Sequence, residues 1–294
     1  MEIAIISGKG GTGKSCISAA FATLQNDIVL ADCDVDAANL YLIFNPACEK
    51  EEVFVTGQKA VINQTKCLKC YQCIEHCRFD AIIKERDSIR ILDPLCDGCL
   101  LCSRICPSKA ISMVKEDKSR LYSGDFKNGS MVYGKLAPGE ENSGKLVNKV
   151  REKAKQLALK KGHKNTIIDG PPGIGCAVIS TITGVDAVVI VTEPTKSGLH
   201  DLKRSLIITQ GFNLKASVII NKYDINPEMS IIIEKYCQQN NTEVIGKTPF
   251  DPLVVKAMVD CKSIIDYAPD SEISKNLHDI YMKIFSSKTQ NRLL

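Results

Sequence analysis

Eight of the fourteen cysteines fall into two runs of one spacing, Cys67, Cys70, Cys73 and Cys77, then Cys96, Cys99, Cys102 and Cys106 followed by Pro107. Each run reads C-x2-C-x2-C-x3-C, so each gathers three thiolates closely and sets a fourth a little further on. Thiolates are soft metal ligands, and in a reducing compartment cysteines point to metals before disulfides. A second centre of chemistry opens the chain: Gly8, Lys9, Gly10, Gly11, Thr12, Gly13, Lys14 and Ser15 follow an apolar run and precede a helical one, the context of a Walker A loop. Glycines let successive amides turn inward on phosphates, the helix N-terminus adds partial positive charge, Lys14 neutralises β and γ oxygens, and Ser15 offers its hydroxyl to magnesium. Cys16 completes the nucleotide-contacting stretch.

Carboxylates suited to a cation cluster in the run Asp32, Asp34 and Asp36, where a second apolar strand ends. Three acids gathered at the carboxyl edge of a sheet need positive charge nearby, although Asp36 is equally readable as the cap of the next helix. A third strand ends in Asp169, Gly170, Pro171, Pro172 and Gly173, the form of a Walker B aspartate with a phosphate-sensing loop behind it.

The elements that must position these groups follow from periodicity. Short β-branched runs at Glu2–Ile6, Ile28–Ala31, Thr166–Ile168, Ala187–Val191, Ala216–Ile220 and Glu243–Ile245 read as buried strands. Helical spacing at Lys14–Leu24, Leu146–Lys160, Leu199–Gln210 and Met229–Gln239 alternates with them, which predicts an α/β, doubly wound, mostly parallel sheet. The rhythm breaks between about Gln64 and Val114, so the chain divides into a nucleotide-binding part at 1–60, an inserted cysteine module at 61–116, and the rest of the nucleotide-binding part at 117–294. A hairpin around Lys127, Asn128 and Gly129 leads back to the sheet. A last helix carries Leu277, Ile280, Tyr281, Ile284 and Phe285 on one face, read as packing on the sheet and not as a membrane anchor.

The loop KGGTGKS, with its second lysine at Lys9, is similar to the deviant Walker A loop of the MinD, ParA, Mrp and nitrogenase iron protein superfamily. The resemblance implies an ATP-dependent homodimer in which Lys9 reaches the phosphates bound by a partner subunit. By the same match Asp32 supports magnesium, Asp34 orients the attacking water, Asp169 holds magnesium through water, and Gly173 offers its amide to the γ-phosphate; DGPPG resembles the DTPPG of Mrp-type carriers. Asn221, Lys222, Tyr223 and Asp224 fit the NKxD pattern by which many GTPases read guanine. MinD-like ATPases place an asparagine at this strand end against adenine and a proline-containing loop after the next strand, matched here by Asn221 and by Pro249, Phe250 and Asp251, so ATP is the expected nucleotide.

The cysteine spacing is that of bacterial two-cluster ferredoxins, in which the fourth cysteine of each run ligates the other cluster. Three close thiolates cap one face of a cube and do not reach its fourth iron. Cluster I is therefore assigned to Cys67, Cys70, Cys73 and Cys106, and cluster II to Cys96, Cys99, Cys102 and Cys77. Zinc also binds C-x2-C pairs, but tetrahedral sites of four ligands leave the eightfold symmetry unexplained. Arg78 stands where the first run would carry proline, and His76 reads as a solvated loop residue. Cys16, Cys33, Cys48, Cys237 and Cys261 are isolated and read as small buried hydrophobes. Cys176 follows the phosphate-sensing loop, where the nitrogenase iron protein has a cluster ligand.

The chain as a whole resembles MinD-superfamily ATPases with an inserted ferredoxin domain. That resemblance implies Mg-dependent ATP hydrolysis coupled to low-potential electron transfer that reduces or matures a metallocentre in a partner protein. Two alternatives stay open: an Mrp-type carrier that delivers clusters to an apo-metalloprotein client, and a MinD- or ParA-like switch in which the clusters sense redox state. The net charge of +4, from 38 basic and 34 acidic residues, argues against nucleic acid or a membrane as partner. No apolar run reaches the roughly 20 residues of a membrane span, and the N-terminus runs straight into the phosphate loop, which places the protein in the cytoplasm.

Overall fold

Strands rich in valine and isoleucine assemble because each buries both faces under helices, the pattern of a parallel sheet. A computed structural model describes residues 1–55, 57–140 and 143–286. Its strands are β1 (Glu2–Ser7), β2 (Ile28–Asp32), β3 (Ala47–Phe54), β4 (Gly57–Ile62), β5 (Ile82–Glu85), β6 (Ser88–Ile91), β7 (Ile111–Glu116), β8 (Ser119–Phe126), β9 (Gly129–Lys135), β10 (Asn165–Pro172), β11 (Ala187–Thr192), β12 (Ala216–Asn221) and β13 (Glu243–Thr248). Nine form one sheet in the order β13-β12-β11-β1-β10-β2-β9-β8-β3. The pairs from β13 through to β9 are all parallel. The hairpin expected at Lys127–Gly129 joins β8 to β9, with Lys127 and Asn128 between them, and extends that sheet.

The chain divides into two compact units. The first comprises Met1–Glu51, Leu121–Lys135 and Ser143–Leu294. Its core includes Ile3, Ile5, Phe21, Leu30, Met131, Ile167 and Ile219, against which Leu277 and Ile280 of the last helix (Glu272–Ser286) are buried and Tyr281, Ile284 and Phe285 pack. Sheet packing thus accounts for that helix's apolar face, and among the described residues no helix is long and apolar enough to cross a membrane.

The second unit comprises Glu52–Arg120 and Leu136–Asn142, so it takes up residues on both flanks of the cysteine stretch. It holds two antiparallel ribbons, β4 with β7 and β5 with β6, and two short helices, Gln72–Glu75 and Leu101–Ile105. Its buried centre consists of Ala60, Cys73, Ile82, Ile89 and Ile111, ringed by partly buried Cys67, Cys77, Cys96, Cys102 and Cys106. So few apolar side chains make a weak core for a unit of this size, the situation in which small domains rely on metals or disulfides.

Candidate functional site

The parallel strands deliver their ends to one edge, where ligands of open α/β sheets bind. From β1 the chain turns through Gly11 and Gly13, at φ +81° and +90°, into the helix Lys14–Thr23. These left-handed turns suit glycine and aim the intervening amides inward. Lys14, only 6% exposed, donates to Asp169 Oδ2 at 3.0 Å and stands 3.9 Å from Asp34 Oδ2. Burial works against its ammonium, yet the charges of Asp169 and Asp34 outweigh that and hold its pKa above the ordinary lysine value. Thr12 Oγ1 is buried with no hydrogen-bond partner, an orphan that a phosphate oxygen would satisfy.

Asp169, at 0% exposure, also accepts from Ser15 Oγ at 2.7 Å and Ser18 Oγ at 2.6 Å. Asp32 lies beside it at the end of β2 and accepts the backbone amides of Asp34 at 3.1 Å and of Asn39 and Leu40 at 3.2 Å each. Burial, reinforced by the neighbouring Asp169 charge, pushes the Asp32 carboxyl up to about 7. Burial likewise raises Asp34, which is half-buried. The alternative role of Asp36 is corrected: the helix Leu40–Phe44 begins at Asn39 without a side-chain cap, Asp36 is exposed, and it is Asp32 that takes the first amides.

Lys9 does not project freely. Its ammonium pairs with Glu193 Oε1 at 2.5 Å and donates to Ser197 Oγ at 3.1 Å. Glu193 also meets Lys222 Nζ at 3.5 Å, and Lys222 donates to Gly11 O at 3.1 Å. Gly8 is packed so closely on the same region that a Cβ there would come within 2.3 Å of Asp201 Cβ. The Gly173 amide donates to Ser7 O at 2.9 Å, with Gly173 at φ +95°. Glu193, Ser197 and Ser18 escape sequence reading, because no local motif marks them and only the strand and helix ends bring them to the loop.

Beyond the loop lies a mostly apolar cleft of about 230 Å³, with Gly13, Cys16, Asn221, Pro249, Phe250 and Asp251 in its wall. Asn221 donates from Nδ2 to Thr12 O at 2.8 Å, and its Oδ1 accepts from Thr248 Oγ1 at 2.7 Å and Lys222 N at 3.0 Å. Both acceptor lone pairs are thereby used, and one N–H remains for a base. Asp251 caps the helix Pro252–Val259 by accepting from Leu253 N at 2.8 Å. Asp224 accepts the amide of Phe250 at 2.7 Å and is not part of the cleft wall, so NKYD here ties two loops together.

In the second unit the cysteines regroup across the runs. Cys67, Cys70, Cys73 and Cys106 line one cavity, and Cys77, Cys96, Cys99 and Cys102 line another. Among the described residues no three or more His, Cys, Asp or Glu side chains close on a single point as one metal ion requires. His76 is exposed and sits at the rim of the second cavity, its Nδ1 2.9 Å from Gln72 O. Of the isolated cysteines, Cys33 and Cys237 are buried as expected and Cys16 is half-buried; burial raises all three thiols, which keeps them protonated. Cys261 corrects that expectation, being exposed at φ +51° in the turn after the helix Pro252–Val259. Cys176 is exposed at the start of the helix Cys176–Ile182, and the side chain of Cys48 lies outside those described.

The profile of the CobQ/CobB/MinD/ParA nucleotide binding domain family matches residues 3–264. Uncharacterized protein MJ0578 of Methanocaldococcus jannaschii is 34% identical over 287 residues, 97% of this chain and 96% of its own length. The iron-sulfur cluster carrier protein of Pyrococcus abyssi is 23% identical over 274 residues, 85% of this chain and 74% of its own. Among solved structures, the septum site-determining protein MinD of Pyrococcus horikoshii, complexed with Mg-ADP, shares the fold with a TM-score of 0.58 at 17% identity, over 97% of this chain and 96% of that one.

Proposed function

Because this chain belongs to the CobQ/CobB/MinD/ParA nucleotide binding domain family, we propose that it hydrolyses ATP with magnesium and couples nucleotide state to low-potential electron transfer through two 4Fe-4S clusters. The electrons would reduce or mature a metallocentre in a partner protein. The observation that carries this reading is the regrouping of eight cysteines about two cavities, with the fourth cysteine exchanged between runs, in a chain that also assembles a phosphate loop. That exchange is what two cubes bound side by side demand.

The roles then follow from the chemistry. The amides of Gly10 to Gly13, the Thr12 hydroxyl and Lys14 would hold the phosphates, and Ser15, Asp32 and Asp169 would hold magnesium. Asp34 orients the attacking water. Magnesium, when bound, neutralises developing charge on the phosphates. For Gly173 to donate to a γ-phosphate it must release Ser7, and for Lys9 to reach a second subunit's nucleotide it must release Glu193. Both are rearrangements that nucleotide binding could drive. Adenine is favoured over guanine, because the Asp224 carboxylate that would read guanine is occupied outside the cleft.

The ferredoxin-like module would occupy the insertion between the Asp32 and Asp169 segments, bounded near 61–116, with the nucleotide-binding part before it at 1–60 and after it at 117–294. The carrier reading is favoured by one observation, the similarity to an iron-sulfur cluster carrier protein. Lability separates the two: rapid transfer of iron to an apo-protein indicates cargo, retention through redox cycles indicates a wire. The deciding experiment is freeze-quench EPR of anaerobically purified protein with an acceptor, with and without ATP. Faster oxidation of the reduced clusters in ATP is expected. Rates indifferent to ATP, or about eight irons per chain with no affinity for any nucleoside triphosphate, overturn the proposal.

A further inference from the structure

The two halves of the cysteine unit share their cysteine spacing and the turn that follows the last cysteine, while almost every other side chain differs. Cys77-Arg78-Phe79-Asp80-Ala81 corresponds to Cys106-Pro107-Ser108-Lys109-Ala110. In both, the fourth residue lies at φ +50° and its amide bonds the cysteine carbonyl, Asp80 N to Cys77 O and Lys109 N to Cys106 O. In both, the alanine carbonyl accepts a distant amide, that of Leu92 at Ala81 and that of Asn63 at Ala110. Against this shared frame the differences stand out.

Cys106, whose sulfur belongs to the first cavity, lies 3.3 Å from the Ala110 amide that donates to it and 3.6 Å from the Ser108 hydroxyl. At the place of Ser108 the other half carries Phe79, which has no proton to give and lines the second cavity. The ligand loops differ as well. Between the first two cysteines of each run stand Leu68 and Lys69 in one half and Asp97 and Gly98 in the other, and Asp97 lines the second cavity. An N–H or O–H directed at a ligating sulfur, or a nearby cation, stabilises the negative charge that reduction adds; a carboxylate opposes it. The groups brought to the sulfurs by a hydrogen bond or by lining a cavity, the Ser108 hydroxyl, the Ala110 amide and Asp97, act in one direction; the charges that line neither cavity divide, Lys69 acting with them and Glu75, Arg78 and Arg104 against them.

We propose that the two sites are redox-inequivalent, the site of Cys67, Cys70, Cys73 and Cys106 taking the first electron and the site of Cys77, Cys96, Cys99 and Cys102 the second at lower potential. This rests on the reading of the eight cysteines as holding two 4Fe-4S clusters. The balance is one electron from an external one-electron reductant for each site in turn, with no bond made or broken and no proton required.

An EPR-monitored redox titration of the anaerobic holoprotein with dithionite tests it. Two one-electron steps are expected, separated by at least a tenfold ratio of the singly reduced forms, which is 59 mV. Ser108→Ala should lower the upper step alone, and Asp97→Asn should raise the lower step alone. Iron determination on each sample keeps the outcomes apart. Iron far below eight atoms per chain overturns the cluster reading and the inference with it. Full iron with one unresolved step, or a Ser108→Ala effect on the lower step, overturns the inference and leaves the cluster reading intact.

Discussion

Lys9 and Glu193 form an ion pair of 2.5 Å within one chain, so the lysine expected to reach a partner subunit is held at home. Lys222 shares the same carboxylate at 3.5 Å. With Lys9 about a third exposed and Glu193 less so, the pair is worth about 1 kcal/mol. That energy opposes any contact of Lys9 in trans. A symmetric dimer breaks two such pairs, so Glu193→Gln should raise the dimerisation constant at subsaturating ATP by roughly thirtyfold, measured by analytical ultracentrifugation. Lys9→Ala should abolish that dimer. An unchanged dimerisation constant in Glu193→Gln would show that the pair does not restrain Lys9.

Asp169 satisfies Lys14, Ser15 and Ser18 together, and its carboxylate is fully buried. Removing it strands a buried ammonium. Asp169→Ala should destabilise the nucleotide-free protein by about 3 kcal/mol, since breaking a buried pair costs more than the pair contributes. Calorimetry should show a Tm lower by about 6 °C or more, with Asp169→Asn intermediate because it keeps the shape and some hydrogen bonds. A wild-type Tm in the alanine variant would contradict the assigned burial.

The parallel sheet is legible in the sequence because its strands are buried on both faces and so consist almost wholly of β-branched residues, as in Ala187–Thr192. Strand ends are less legible: β10 runs on through Asp169 to Pro172, where polar residues and prolines would ordinarily signal a loop. Tertiary pairing with β1 overrides that local signal. Around the phosphate loop, sequence names Lys14, Ser15 and Asp169, whose types are bound to the motif, but not Ser18 or Glu193, whose contacts span more than 150 residues and leave no local trace. Cys261 escapes for the opposite reason: an isolated cysteine carries no periodic signal to tell a buried position from an exposed turn.

Asp32 sets a pH dependence whose sign is fixed by burial. Its carboxyl is pushed up to about 7, whereas an unfolded chain returns it to the ordinary range near 4. Below pH 4 the group is neutral in both states and contributes nothing. Between about 4 and 7 the folded state holds a proton that the unfolded state has lost, so nucleotide- and magnesium-free protein should lose stability as pH rises, on the order of 2–4 kcal/mol in total. Asp32→Asn should flatten that part of the stability profile, followed by urea denaturation across pH 5 to 8. A variant as pH-sensitive as the parent would remove Asp32 as the source.

Gly13 couples the phosphate loop to the base cleft. It sits at φ +90°, and a Cβ at this position would lie 2.2 Å from Asn221 Nδ2. Asn221 cannot yield easily, because its amide is held by Thr12 O on one side and by Thr248 and Lys222 on the other. Gly13→Ala therefore meets a left-handed backbone cost of about 1–2 kcal/mol together with a steric one. Nucleotide affinity should fall at least tenfold, read by titration calorimetry, while the sheet core leaves the far-UV circular dichroism unchanged. In Gly13→Ala combined with Asn221→Ala the clash is gone and the backbone cost stays, so the double variant should fold with a Thr12 carbonyl left unpartnered and bind no better than Asn221→Ala alone. Wild-type affinity in Gly13→Ala would mean that the loop reaches its nucleotide-bound shape by another route, and that Asn221 does not set its position.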